Sequence, residues 1–374
     1  MRKTFFLLLL ITTGTYAQVS FNGYLTEMPS FVYEDIDHNT YLDNMVHNRL
    51  NFAWQSSDHF SMAIEQRNRF IWGQTLKSIN GYSQFITQDY GWIDMSCNWA
   101  SGDNYVINSI IDRIWMEYTI KNLQVRLGRQ RVNWGMSMVW NPNDIFNAYS
   151  YFDFDYEERP GLDGVRVQYF TGYSSKLEGV IKIDYKNRVS MAGLYRFNKA
   201  GYDFQVLGGV YNQEDYLMGA GWSGDIKGAG FYGEATYMIP KDKKEDDILI
   251  ASMGGNYTFR NSLMIQTEML YSSNLKDMDN NFIQFYFEPA SVKTLSMTDF
   301  TWFMSASYPA TPLLNTSLAV MGFPGVSSFY VGPTMDYSLR DDLYLSFIAQ
   351  YFGGKVNNEK ASSVMSFLRL KWNF

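Results

Sequence analysis

The sequence predicts an all-β protein, a transmembrane antiparallel up-and-down β-barrel of about 18 strands, 16 being the next count. Three observations lead there. The final residues alternate, with Val364, Ser366, Leu368, Leu370, Trp372 and Phe374 on one face and Phe367, Arg369, Lys371 and Asn373 on the other. Strand side chains point to opposite faces in turn, so one face is mainly apolar while the other carries two cations and an amide. Aromatic residues make up 17% of the chain, which suits interfacial girdles on lipid-facing strands. After the N-terminal leader, no run approaches the roughly 20 apolar residues that a spanning helix needs. A soluble β-sandwich is the competing class, and it would leave the aromatic-ended last strand unexplained.

The leader comes first. Met1-Arg2-Lys3, an apolar run over 5–11 and small or polar residues up to Ala17 follow the order of a secretory signal peptide. Cleavage after Ala17 would leave 18–374 as a single barrel domain beginning at Gln18. The residue directly after that site is Gln18 and not a cysteine, so lipid anchoring is not indicated. Two of the 31 basic residues, Arg2 and Lys3, lie in the leader; 29 remain against 38 acidic ones, a net charge of −9. Bulk charge therefore argues against nucleic acid as a partner. Cys97 is the only cysteine, which excludes an internal disulfide and a cysteine-based metal site.

Strands are expected near 20–28, 47–56, 60–70, 112–120, 123–131, 162–170, 176–185, 189–197, 202–211, 215–223, 229–238, 248–258, 262–272, 298–308, 314–322, 327–338, 342–352 and 362–374. Every second connection is short and polar, as at Ser57-Asp58-His59, Lys121-Asn122, Arg260-Asn261 and Arg340-Asp341. Such residues suit tight periplasmic hairpins. Long connections alternate with them, at about 29–46, 71–111, 132–161 and 273–297, and would lie outside with both termini in the periplasm.

The connection after the fifth strand carries the candidate function. Residues 133–161 hold five acids (Asp144, Asp153, Asp155, Glu157, Glu158) and eight aromatics, Trp134 and Trp140 among them. Burying each aromatic contributes free energy on the kcal/mol scale, so a water-exposed loop would rarely keep so many. The expectation is a loop folded into the lumen, which sets a constriction. Arginines alternate with apolar residues on the flanking strands: Arg49, Arg67, Arg69, Arg113, Arg126 and Arg166 share the face opposite residues such as Ile64, Met116, Leu127 and Val167. A cation at mid-bilayer costs about 2–4 kcal/mol, so the arginines belong to the lumen as a pore wall. At Gly128 a bulge would turn Arg129 and Arg131 inward as well. A basic wall opposite an acidic loop would set a transverse field that sorts solutes by charge. The bland reading is that the arginines only hold the loop acids down.

The segment Gly128-Arg129-Gln130-Arg131-Val132-Asn133-Trp134-Gly135, then Asn141-Pro142-Asn143-Asp144 and Arg159-Pro160-Gly161, resembles a motif of porin-like outer-membrane proteins of Bacteroidota, related to proteobacterial porin-like families. The likeness is sharp over about 110–170. It implies a barrel with solute passage and fixes no substrate. The aromatic end at Phe374 similarly resembles the assembly signal of outer-membrane barrels. Expected partners are outer-membrane lipid and lipopolysaccharide, the barrel assembly machinery, a small solute and, optionally, further copies of the chain.

Weaker signals point elsewhere. Asp35, Asp37, Asn39 and Asp43 occupy positions 1, 3, 5 and 9 of a calcium-loop pattern, but Thr40 replaces the glycine and Val46 the final glutamate, so a solvated acidic loop is favoured. A base for a barrel hydrolase would come from His38, His47 or His59, and His47 shows no evident Ser or Asp partner in the sequence. The expectation is thus a porin-like channel for passive diffusion of small hydrophilic solutes, with no catalytic residue and no cofactor. The rivals are a plugged structural or partner-binding barrel and a barrel hydrolase.

Overall fold

A computed structural model describes residues 18–35, 38–79, 81–155, 158–273, 291–356 and 359–374; the leader, Asp37 and Glu157 lie outside these. The strands are β1 (Gln18–Glu34), β2 (Asn39–Gln55), β3 (Phe60–Gly73), β4 (Ser96–Gly102), β5 (Tyr105–Ile120), β6 (Leu123–Gln130), β7 (Leu162–Phe170), β8 (Lys176–Ile183), β9 (Val189–Lys199) and β10 (Tyr202–Tyr211). They continue with β11 (Asp215–Ile226), β12 (Ala229–Pro240), β13 (Ile248–Thr258), β14 (Met264–Ser272), β15 (Phe300–Thr311), β16 (Leu314–Phe323), β17 (Ser328–Arg340), β18 (Leu343–Val356) and β19 (Glu359–Asn373). Neighbours pair antiparallel, β3 pairs with β5, and β19 returns to β1. The result is a closed ring of 18 strands with β4 outside it. Closure leaves the ring itself no unpaired edge.

Every expected strand is present, but two expected connections are largely structured. Residues 29–46 contract to a short turn, because β1 and β2 stay paired up to Glu34↔Asn39. Within 71–111 the chain forms two short helices, α1 (Gln74–Ser78) and α2 (Tyr82–Thr87), then β4 and the start of β5. β3 occupies one edge of β5 along its length. The other edge is shared: β6 takes Ile114–Ile120 and β4 takes the stretch from Tyr105 to Ile110. β6, β7 and β8 are only 8, 9 and 8 residues long. β4 therefore adds wall beside β5 beyond the end of β6, and Gly91 makes a bridge to Asp184 beyond β8.

Register confirms the phase of the arginine-bearing strands. Leu127, Met116, Val167 and Ile181 point outward and are exposed, while Arg126 pairs across from Arg166 on the inward face. A shift between Glu65 and Gln66 makes a bulge in β5, so Asp112 and Arg113 both face the lumen. The alternation does not slip at Gly128, contrary to expectation. Gly128 has φ +114° and sits where a Cβ would meet the Ile114 carbonyl, and the regular pairs Ile114↔Arg129 and Arg129↔Asp163 leave Arg129 on the outward face. There it is buried: it binds Asp163 and Asp89 at 2.6 Å each and the carbonyl of Ile93. Arg131, past the strand end, lies near Arg113, Arg159 and Asp144.

The seam closes at the C-terminus. Phe374 and Gly23 exchange two backbone hydrogen bonds of 3.0 Å. A Cβ on Gly23 would stand 2.9 Å from the Phe374 ring, so the glycine makes room for the terminal aromatic.

The core is unusual for a barrel. Trp134, Val139, Trp140, Ile145, Phe146 and Phe152 of the inserted loop pack with inward Val180, Leu194, Leu207, Met238, Ile250, Leu270, Phe303, Met321 and Phe352. Along β8–β18, the inward faces at the level of the loop are largely apolar, interleaved with polar residues that bind it, Glu178, Gln205, Glu234 and Glu268. Loop side chains cover the apolar positions there.

Candidate functional site

The inward arginines come from five neighbouring strands and meet acids of the same wall. Arg49 on β2 donates to Asp112 (2.6 Å) and Glu65 (2.5 Å), and lies 3.7 Å from Glu158. Arg67 on β3 reaches Asp112 at 3.3 Å, and Arg113 on β5 reaches Glu65 at 3.2 Å. Arg126 on β6 donates to Glu117 at 2.6 Å, with Arg166 of β7 at 3.7 Å from the same carboxylate. Arg69 binds the Ile86 carbonyl and Asn108. The structure brings all six arginines together, yet wall acids neutralise them more than loop acids do. The wall carboxylates Glu65, Asp112 and Glu117 and the loop's Glu158 stand among the six guanidiniums. Exposure separates two roles. Arg49 is fully buried (0%), whereas Arg67 (12%), Arg113 (17%), Arg126 (20%) and Arg166 (14%) keep contact with the lumen.

The inserted loop, 131–161, leaves β6 and makes a circuit of the lumen. Its first arm crosses to β8–β14. Trp134 donates its indole N–H to Glu178 (3.0 Å), and its carbonyl accepts from Gln205 (2.6 Å). Two carboxylates then seize the backbone. Glu234 accepts from the N–H groups of Met136 (2.6 Å) and Asn143 (3.0 Å). Glu268 accepts from Met138, Val139 and Trp140 at 3.1, 3.0 and 2.7 Å. Five backbone N–H groups accepted by two inward side chains make a firm clamp. The second arm runs past β15–β19 and returns to β1–β5. Tyr151 and Phe152 pack on Phe303, Tyr330 and Phe352; Phe154 packs on Phe367. Asp155 meets His47 at 3.3 Å, Tyr24 donates to Glu158 (3.1 Å), and Arg113 donates to the Glu158 carbonyl.

The loop acids expected at a constriction therefore divide. Glu158 alone among the described ones joins Arg49; Asp155 joins His47, which corrects the reading of that histidine as partnerless. Burial tends to raise the pKa of Asp155, but His47, Arg369 and Arg67 hold it below the ordinary range. Asp144 is fully buried within the loop, accepting from the Trp134 N–H (3.3 Å), and burial raises its pKa to about 6. It supports the loop, near Arg131 and Arg159, and is not paired with the six wall arginines. Asp153 is exposed. Trp134 and Trp140 are core residues of the plug, buried against barrel side chains.

Glu234 and Glu268 were missed in the sequence. Their signal was present: single acids at inward positions flanked by Met238 on β12 and Leu270 on β14. Of the calcium-type set, Asp37 lies outside the described residues, and the other three are partnered separately. Asp43 accepts from the N–H and hydroxyl of Thr75 at the start of α1, Asp35 sits 3.9 Å from His38, and Asn39 pairs with Glu34. Among the described residues no cluster of metal-ligating side chains occurs. His59 lies in a turn beside the Thr119 carbonyl.

No family model and no curated protein matches the sequence. The fold, however, is shared with solved structures. Acinetobacter baumannii OccAB4 matches with a TM-score of 0.60 at 8% identity, covering 95% of this chain and 98% of its own. Pseudomonas aeruginosa OccK11 (OpdR) matches at 0.57 and 10% identity, covering 95% and 96%. Pseudomonas aeruginosa OccD3 (OpdP) gives 0.58 and 9%, covering 95% and 91%. The fold is that of the Occ barrels.

Proposed function

We propose that the chain is an outer-membrane porin-like channel for passive diffusion of small hydrophilic solutes, its passage narrowed by 133–161 against the arginine sector. The observation that carries this reading is the asymmetry of the lumen. The loop's apolar side chains cover the inward faces of β8–β18, while the least buried guanidiniums of the sector, Arg67, Arg113, Arg126 and Arg166, stand outside that apolar cluster and are partly exposed. A charged side chain at the floor of a packed plug would be costly without water, so these arginines mark the wet path. The outward band of Leu, Met, Tyr and Trp residues suits a bilayer, with aromatic residues such as Tyr118, Tyr169, Tyr337 and Trp372 toward the turn rim. The Occ fold and the motif resemblance to Bacteroidota porin-like proteins agree with it.

A second reading, a barrel plugged by the loop, is favoured by the extent of the buried cluster around Trp134, Phe146 and Phe152. Liposome swelling decides between them. Vesicles carrying the full barrel should swell in small sugars, short peptides and small organic anions, more slowly as solute size grows. Absence of swelling in every solute would sink the channel reading and support the plug.

A further inference from the structure

The outward face of the barrel is apolar except in one sector. By register, Glu27 on β1, Asn44 and Asn48 on β2, Gln66 and Asn68 on β3, and Ser109 on β5 all point outward. Asn48, Gln66, Asn68 and Ser109 form a connected ladder. Asn48 donates to the Tyr24 carbonyl (3.0 Å), Asn68 to Asn48 (3.3 Å), Gln66 to Asn68 (2.9 Å) and Ser109 to Asn68 (2.7 Å). Asn44 donates to Glu27 at 3.4 Å. On β3 the amides are bracketed by Met62 and Ile64 toward the turn rim and by stacked Phe70 and Trp72 toward the loop rim. The patch therefore lies between apolar rows, at a level where neighbouring strands present lipid-type residues. On the other described strands, the amide or charged side chains that point outward between the rims are Arg129 and Asp163, which the chain itself covers at Asp89 and Ile93.

We infer that this face of β1–β5 is the contact surface for a second copy of the chain. Amides and a carboxylate left against hydrocarbon are costly, because nothing in the lipid replaces their remaining hydrogen bonds. Each amide carries both donors and acceptors, so the ladder is complementary to itself about a twofold axis, and Glu27 can accept from a facing amide. The area is also sufficient. Four strands at about 4.8 Å spacing and about 40 Å of strand length give roughly 760 Å², close to the ~800 Å² per partner of a standard interface. The inference rests on the membrane placement proposed above, not on whether the lumen conducts.

Single cysteines at Glu27, Asn48, Gln66 and Asn68, each in a Cys97→Ser background, test it in native membranes with a short bifunctional maleimide. Cys97 is exposed on β4 and would otherwise react. The expected product is a species of twice the chain's mass from at least one of these positions and none from a control cysteine at Met218, on the far side. Capture of a different polypeptide, or no product at any position, overturns the inference. In parallel, the triple variant Asn48→Leu, Gln66→Leu, Asn68→Leu should keep a heat-modifiable folded barrel while its dimer fraction in mild detergent falls at least tenfold. An unchanged dimer in that variant would also overturn it. Loss of heat-modifiable wild-type protein from the membrane fraction would instead count against the membrane placement.

Discussion

Adjacent residues on β6 show how one step along a strand changes the solvent. Leu127 is outward and about half exposed; Arg126 is inward, paired with Glu117 and stacked on Trp115. Leu127→Arg should destabilise the barrel by about 2–4 kcal/mol near the midplane, read by urea unfolding in lipid vesicles. Arg126→Leu should cost less, since it removes a lumen-facing ion pair and leaves Glu117 in contact with Arg166. The reverse order would mean that the phase of β6 is wrong. Asp144 gives a second test. Its pKa is raised in the folded loop to about 6, so ionisation opposes folding, and seating of the loop weakens as pH rises through that value. Protease accessibility of the loop should thus increase between pH 5 and pH 7 by this contribution (roughly the span of one titration). Asp144→Asn should flatten the difference; an unchanged pH profile in that variant would remove Asp144 from the account.

At the scale of elements, the strands were legible because each wall segment repeats inward and outward residues with period two. Val364 to Phe374 is the clearest case, and all eighteen ring strands follow it. β4, α1 and α2 were not legible. They lie in one long connection whose residues face neither lipid nor lumen in alternation, so no period marks them. The ends of β1 and β2 were hidden for a related reason: beyond the apolar band, polar residues such as Asn39 and Thr40 occupy both faces. The candidate site was legible in part. The arginine sector and the inserted loop could be read from spacing, but the direction of Arg129 required the pairing with Ile114 and Asp163. The clamp on the loop was missed because a lone acid in a strand gives no period. Glu234 and Glu268 together hold five backbone N–H groups, and replacing both by Gln puts an NH2 donor where a carboxyl oxygen accepts. A spin label at the exposed Met138 should then gain mobility. An equally immobile label would show that packing of Trp134 and Trp140 alone seats the loop.

The whole molecule is a tube with two unlike sides: an apolar side filled by the loop and a side lined by six arginines and their acids. If solutes pass beside the arginine-lined side, Arg113→Ala with Arg126→Ala should shift ion preference toward cations, because Glu65 and Glu117 remain. The shift should be larger in dilute salt, since screening acts over about 10 Å at 0.1 M. The central claim, however, is that the loop sets the narrowest part of an open passage. Single-channel conductance of the barrel with 137–151 shortened tests this most directly. Steady current in the wild type and a larger conductance in the shortened form are the expected results. A wild type that carries no current, or a shortened form with the same conductance, would contradict it.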